Sequence, residues 1–433
     1  MSGPKTACSK DFPRSWHRLL LAGYAAFLLL ASGCTVLTSD KRRVYQFEHS
    51  FPVSDPAFRR SLDTFGNTMV GGNRAEILNN GDEIIPGMAG AIREARKTVN
   101  LESYIYKDDK AGKQITAALI DAAKRGVEVR VLVDGTGSKF STGMLSRMRD
   151  AGVQAYKYNP IRPWSLYKID SRTHRKILVV DGTVSFTGGF CIEEKWLGNA
   201  RNPKEWRDMM VRATGPVSAQ MQAIFAEDWT YTTGEILAGD KFYPKIEPAG
   251  DILAQGIKVS RGDSSSLAKI LYIVAIESAA KSIHIQNAYF VPDRQIREAL
   301  VRAARRGVDV QVMVPGRQID MPVVRMASRF HYGELLRAGV KIYEYNRTMM
   351  HSKDAVIDGI FSLIGSINFD ARSLRGNAED SLAFYDREFA ARLEAVFAED
   401  QKSCREVTYT SWKRRGVEQR LVELVSVFFQ PLY

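Results

Sequence analysis

The chain has 433 residues, with 61 Lys and Arg against 49 Asp and Glu for a formal charge of +12. Apolar residues at 45% and charged residues at 25% exclude a disordered tail, a collagen-like fibre and a polytopic membrane protein, and the length admits two or three domains, each with its own core. The positive surplus favours an anionic partner, and nucleic acid, an acidic membrane surface or a phosphorylated substrate would each satisfy it.

Residues 1–18 carry Lys5, Lys10, Arg14 and Arg18 against Asp11 alone, and the apolar run LLLAGYAAFLLLASG at 19–33 ends in small residues before Cys34. A basic segment, a short apolar stretch and a small-residue site form a secretory signal, too short for a spanning helix of about 20 residues. LASGC at 30–34 resembles the lipobox of bacterial lipoproteins, which implies a signal peptide over 1–33 and acylation of Cys34; an uncleaved signal anchor is the alternative. Both readings predict an exported, membrane-anchored protein, and the lipobox predicts a periplasmic lipoprotein of a bacterial envelope. Cleavage leaves 57 basic and 48 acidic residues, a charge of +9, so the positive field survives processing. Cys191 and Cys404, 213 positions apart, are expected to be free thiols.

After a linker at 34–64 the chain repeats itself. IREARKTVNLESYIY at 92–106 is answered by IESAAKSIHIQNAYF at 276–290, and AAKRGVEVRVLVDG at 122–135 by AARRGVDVQVMVPG at 301–314. RDAGVQAYKY at 149–158 matches LRAGVKIYEY at 336–345, and THRKILVVDGTVSFTGG at 173–189 matches MHSKDAVIDGIFSLIGS at 350–366. The offsets of 184, 179, 187 and 177 are nearly constant, as a duplication with small insertions requires.

Within the first copy, residues 113–126 place Ile115, Leu119 and Ala122 on one helical face and stop at Gly126, while VEVRVLV alternates as a strand does. Strand, helix, glycine and strand in that order predict an α/β fold with a largely parallel, covered sheet in each half. The halves are placed at 65–245 and 246–433, separated near the Pro/Gly-containing KIEPAGD at 245–251.

The chemistry lies in His174-x-Lys176-x4-Asp181, which recurs as His351-x-Lys353-x4-Asp358. His and Lys two apart on a strand share a face, so two packed halves can bring both pairs to one pocket. Two titratable imidazoles and two cations suit a phosphodiester: the lysines neutralise the non-bridging oxygens, one histidine attacks phosphorus and the other moves the proton. No metal or cofactor is required, and the sequence has no metal-ligand spacing. Asp181 and Asp358, each just before a glycine at the end of an apolar run, read as turn residues at least as much as chemical ones.

The doubled motif resembles the phospholipase D superfamily. ESYIYKDDKAGKQITAALIDAAKRGVEVRVLVDGTGS at 102–138, NAYFVPD at 287–293 and GSINFDARSL at 365–374 resemble its bacterial cardiolipin synthase branch, over a stretch from about residue 65 nearly to the C-terminus. The resemblance implies two homologous lobes about a pseudo-twofold axis with one shared active site. His174 would be the nucleophile that becomes phosphatidyl-histidine, and His351 the acid/base. It also implies that Gly189, Ser366 and Asn368 line the phosphate pocket, with Cys191 where asparagine is usual. A carboxylate behind each imidazole is expected to be Asp208 for His174 and Glu379 for His351. Arg207 and Arg372 would add charge at the pocket or its rim.

The implied reaction is phosphatidyl transfer to phosphatidylglycerol or another alcohol, with phosphatidylethanolamine a possible donor; hydrolysis as a phospholipase D is the alternative, and a nuclease a more distant one. Nucleic acid is not an expected partner, because no clustered basic helix or aromatic stacking module is present. Residues 412–433 read as a basic patch and an apolar helix, either packed on the second lobe or dipping into a membrane, while Met321, Val324 and Phe330 fall near the expected pocket mouth.

Overall fold

A computed structural model describes residues 45–48, 51–64, 67–161, 171–260, 267–428 and 430. The expected signal segment, Cys34 and residues 35–44, 49 and 50 of the expected linker lie outside the described residues, while the rest of that linker is described and carries a short helix at Pro56–Leu62. Met1–Tyr45 and Gln46–Tyr433 are separate units, and the regular elements described lie in the second.

Its first half contains α1 (Pro56–Leu62), β1 (Val70–Asn79), α2 (Asn80–Glu94), β2 (Thr98–Ser103), α3 (Lys110–Lys124), β3 (Glu128–Asp134), α4 (Thr142–Asp150), β4 (Gln154–Tyr158), β5 (Lys176–Val180), β6 (Val184–Gly188), β7 (Met209–Thr214) and α5 (Val217–Thr233). The second half follows with β8 (Ile252–Val259), α6 (Leu267–Glu277), β9 (Ser282–Asn287), α7 (Arg294–Arg305), β10 (Asp309–Pro315), α8 (Pro322–Ala338) and β11 (Lys341–Tyr345). It ends with β12 (Lys353–Ile357), β13 (Phe361–Gly365), α9 (Ala371–Arg375), β14 (Glu379–Tyr385), α10 (Arg387–Gln401), β15 (Cys404–Val407), α11 (Tyr409–Lys413) and α12 (Val417–Val427).

The strands of the described residues form one sheet ordered β15-β11-β10-β9-β12-β13-β14-β8-β1-β7-β6-β5-β2-β3-β4. Read outward from the antiparallel β1–β8 pair, β7-β6-β5-β2-β3-β4 mirrors β14-β13-β12-β9-β10-β11, so the duplication in the sequence is a duplication in strand order. The expectation of largely parallel sheets needs correction. Only β2-β3-β4 and β9-β10-β11 run parallel, while the strands nearer the centre are antiparallel. The reason is local. β5–β6 and β12–β13 are hairpins with three-residue connections that begin with Asp181-Gly182 and Asp358-Gly359, all four with positive φ (52°, 68°, 54° and 62°), the twist that a tight turn between antiparallel strands requires.

Helices cover the sheet on their apolar faces. α3 buries Ile115, Leu119 and Ala122 against a core with Val99, Leu101, Val129 and Val131, so its stripe sits where the sequence periodicity puts it. Around β1 and β8, Met221, Phe225 and Trp229 of α5 share a core with Phe384, Phe389 and Leu393 of the second half. The two halves are therefore joined by a continuous apolar layer as well as by the strand pair at the centre of the sheet. Cys191 and Cys404 are both free, the first buried and the second half-buried.

Candidate active site

Both histidines immediately precede a strand that carries their lysine. His174 and His351 lie two residues before the backbones of β5 and β12 begin to pair as ladders at Lys176 and Lys353. Each segment is fastened across the lobe boundary. The His174 amide donates to the Ala378 carbonyl at 2.8 Å and the His351 amide to the Arg207 carbonyl at 2.7 Å. The reciprocal bonds, Ala378 amide to Arg172 carbonyl at 2.9 Å and Arg207 amide to Met349 carbonyl at 2.8 Å, complete two matching bridges.

These bridges put the residue after Ala378, Glu379, behind His174 and the residue after Arg207, Asp208, behind His351. His174 Nδ1 is 2.8 Å from Glu379 Oε2, and His351 Nδ1 is 2.9 Å from Asp208 Oδ2. The expected pairing is thus exchanged: each imidazole is oriented by the carboxylate of the other lobe. The backbone ladder forces this, because each histidine segment is an added edge on the partner lobe and not on its own.

The carboxylates are fully buried. Burial alone would raise both, but His174, Lys176 and the Ser366 hydroxyl hold Glu379 below the ordinary carboxylate value, and His351, Lys353 and the Trp196 indole do the same for Asp208. Trp196 Nε1 donates to Asp208 Oδ2 at 2.8 Å, and the Met209 amide donates to Oδ1 at 2.8 Å. Ser366 Oγ donates to Glu379 Oε2, and its own amide donates to the Asp380 carbonyl at 2.8 Å.

Gly189 stands at the position equivalent to Ser366, and a Cβ there would come within 2.3 Å of Asp208 Oδ1. Gly189 and Ser366, expected in the phosphate pocket, therefore lie behind the histidines, one making room for a carboxylate and the other bonding one. Asn368 does line the cavity.

Burial lowers both imidazoles. For His174 the effect is opposed by Glu379; for His351 it is reinforced by Lys353, and the group falls to about 3 despite Asp208. Lys353 Nζ is 3.0 Å from His351 Nδ1 and also donates to the His351 carbonyl. Lys176 Nζ donates to the His174 carbonyl at 2.6 Å. Burial brings Lys353 itself down to about 8, with Asp208 pulling the other way and Lys176 adding to the fall.

The imidazoles face a cavity of about 290 Å³ between the halves of the sheet. Its first-half wall is aromatic: Tyr104 lies 4.9 Å from the His174 ring centroid, and Trp196 and Trp206 lie 5.2 and 5.5 Å from that of His351. Cys191 lies on the same wall, and burial raises its thiol. The second-half wall is polar and includes Asp320, Asn368, Asp370, Arg372 and Asn377. Asp370 caps α9 through a 2.8 Å bond from the Ser373 amide, and burial pushes it up to about 6. A larger open hollow of about 770 Å³ shares Lys195 with this cavity, but no motif residue lines it.

Other sequence expectations divide. Arg372 lines the cavity, whereas Arg207 is committed to Asp400, both of whose oxygens lie 2.9 Å from its Nε, and to the Asp208 carbonyl at 2.6 Å. It fixes β7 to α10 and offers its guanidinium to the protein interior. Met321 lines the cavity, Val324 is core and Phe330 is exposed on α8.

Asp181 and Asp358 stand at the far ends of their strands. Asp181 accepts from the amides of Arg96, Lys97 and Thr98, and Asp358 from those of Ala280, Lys281 and Ser282. Sequence reasoning missed the aromatic wall, although Trp196 and Trp206 sit close before Asp208, and it missed Asp370 and Asn377 within the segment that contains Arg372 and Glu379.

The family model described as "Cardiolipin synthase, PLD-like domain" matches residues 88–229 and 272–401. A cardiolipin synthase of Geobacillus sp. (strain WCH70) is 36% identical over 390 residues, 89% of this chain and 76% of the relative. Cardiolipin synthase A of Proteus mirabilis (strain HI4320) is 34% identical over 394 residues, 89% of this chain and 81% of the relative. Among solved structures, phosphatidylserine synthase of Haemophilus influenzae Rd KW20 superposes with a TM-score of 0.66 at 15% identity, over 87% of this chain and 98% of that one, a likeness of fold. The chain belongs to the cardiolipin synthase-like family of the phospholipase D superfamily. It is accordingly an enzyme of the phosphatidyltransferase type.

Proposed function

We propose that the protein synthesises a cardiolipin-type lipid by transferring a phosphatidyl group to the hydroxyl of phosphatidylglycerol. The observation that carries this reading is the pair of imidazoles, one from each lobe, each backed by the other lobe's carboxylate at a single cavity. The lipid substrates rest on the kinship with cardiolipin synthases.

His174 is the nucleophile. With Glu379 on Nδ1, its Nε2 is free to attack phosphorus, and Glu379 supports the positive charge that builds on the ring. The bond from phosphorus to the headgroup oxygen breaks, and that oxygen takes a proton from His351. The second half-reaction reverses the roles: the acceptor hydroxyl gives its proton to His351, its oxygen attacks phosphorus, and the bond to His174 breaks. His351 must carry a proton when the headgroup leaves, and the anionic diester favours that protonated form against the burial that lowers it. The ammonium groups of Lys176 and Lys353 supply fixed positive charge to a phosphorus centre that is anionic throughout, and no metal enters any step. Attachment through an acylated Cys34, facing the periplasm, would hold the enzyme at its substrate.

The test is to give purified protein phosphatidylglycerol vesicles, with and without phosphatidylethanolamine, and identify products by mass. Cardiolipin with released glycerol or ethanolamine is expected. Phosphatidic acid as the main product would establish hydrolysis instead, and no lipid product at all would reject the reading. His174→Ala and His351→Ala should each abolish turnover, and an acid-labile adduct should map to the peptide containing His174.

A further inference from the structure

The C-terminal helix α12 is built inside out. Glu423 and Ser426 are its buried residues, with Glu423 completely enclosed, while Leu421 is 57% and Phe428 69% exposed. The spacing makes this systematic. Val417, Leu421, Leu424 and Phe428 recur at intervals of four, three and four, one stripe of a helix, and Val422 and Val425 widen it; all are exposed. Gln419, Glu423 and Ser426 form the opposite stripe and face the protein.

What holds the helix in this orientation is an ionic clamp. Glu423 accepts from Arg329 Nε of α8 at 3.3 Å, from Arg415 Nε at 2.6 Å and from Gln419 Nε2 at 3.0 Å. Arg415 in turn lies 3.7 Å from the Trp412 ring, and Trp412 Nε1 donates to the Arg329 carbonyl at 2.7 Å. A buried carboxylate without its guanidinium partners would be strongly unfavourable, so the clamp resists rotation of α12 onto its apolar side. A helix folded only for stability in water would turn the other way.

The surroundings of the apolar stripe select its partner. Lys413, Arg414 and Arg420 are exposed beside it, with Glu418 the one exposed acid of α12. A second copy docked stripe to stripe about a twofold axis would bring these cations against their own duplicates, whereas an anionic surface would attract them. The stripe is tied to the active site through α8. α12 packs on α8, which carries exposed Phe330 midway along its length, and Met321, just before α8 begins, lines the catalytic cavity.

We propose that α12, with Phe330, is a membrane-docking surface that inserts its apolar stripe among the acyl chains of an anionic bilayer and sets the catalytic cavity at the lipid surface. The choice of a bilayer as the occupant draws support from the lipid substrate proposed above, but the inverted helix and its cations stand without it.

The full chain would be mixed with vesicles of phosphatidylglycerol and phosphatidylcholine carrying a photoactivatable diazirine in the acyl chain, and labelled peptides mapped by mass. Labels should fall on residues 417–428, weaken in high salt and drop at least tenfold on phosphatidylcholine alone. The triple variant Leu421→Ser, Leu424→Ser, Phe428→Ser should keep the wild-type melting temperature, lose label at this segment by tenfold or more, and turn over a dispersed short-chain phospholipid at the wild-type rate while slowing on vesicles. Absence of label from 417–428 in the wild type would overturn the proposal. So would a concentration-dependent dimer of the wild type, seen by sedimentation, that the triple variant does not form, which would assign the stripe to a second copy. Photolabelling needs no turnover, so a failed transfer assay and a failed docking assay are told apart.

Discussion

The imidazole of His174 is held by a carboxylate 205 residues away: its Nδ1 lies 2.8 Å from Glu379 Oε2, across the lobe boundary. Neither lobe alone can present a correctly oriented histidine. The exchange makes the duplication functional as a pair, since separating the halves would strand both imidazoles and both carboxylates.

The crossing can be read directly. Glu379→Gln should shift the Nδ1 proton resonance of His174 and leave that of His351 in place, and Asp208→Asn should do the reverse. Each should lower kcat by up to about 10,000-fold, because an amide in place of the carboxylate can hold the imidazole in the wrong tautomer. A change at His174 in Asp208→Asn would mean pairing within a lobe and contradict the geometry.

Lys353 sets the alkaline limit. With the group at about 8, it is cationic below that pH and loses its charge above it, so kcat/KM should decline above about pH 8. Lys353→Arg should move that limb upward in whatever activity remains. Because burial lowers His174, which must be neutral to attack phosphorus, the acid limb should lie below the ordinary histidine value of about 6.5. A profile flat from pH 7 to about pH 10 would show that Lys353 does not titrate in this range.

Asp181 and Asp358 should behave as structural residues. Each carboxylate accepts three backbone amides and sits in a turn with positive φ, so Asp181→Ala or Asp358→Ala should lose about 2 kcal/mol or more of stability. Thermal denaturation should report that loss, with kcat/KM on the folded fraction close to wild type. An unchanged melting temperature with a hundredfold fall in kcat would place them in the chemistry instead.

Attachment through Cys34 is open to a simple label. Cells given a clickable fatty acid should modify the wild-type protein and not Cys34→Ala, and equal labelling of both would refute acylation at this residue.

Much of this molecule was legible as pattern. Ile115, Leu119 and Ala122 recur at helical spacing because α3 must turn one face to the sheet, and the four repeated segments declare the mirrored strand order because equal sequences fold alike. His174, Lys176, His351 and Lys353 could be named because the same His-x-Lys spacing recurs at the equivalent place in both copies of the repeat. Less visible was the direction of the central strands, since an Asp-Gly pair after an apolar run closes a hairpin only when both residues take positive φ.

What only the tertiary structure decided is partnership. Glu379 and Asp208 were identifiable as acids behind a histidine, but their exchange depends on backbone bonds at Ala378 and Arg207 between segments more than 140 residues apart in sequence. Arg207 belongs to Asp400, Gly189 and Ser366 belong to the carboxylates, and α12 turns its apolar stripe outward because Arg329 and Arg415 claim Glu423. Local spacing determines which face of an element a residue occupies; long-range hydrogen bonds and buried charge pairs determine what that face meets.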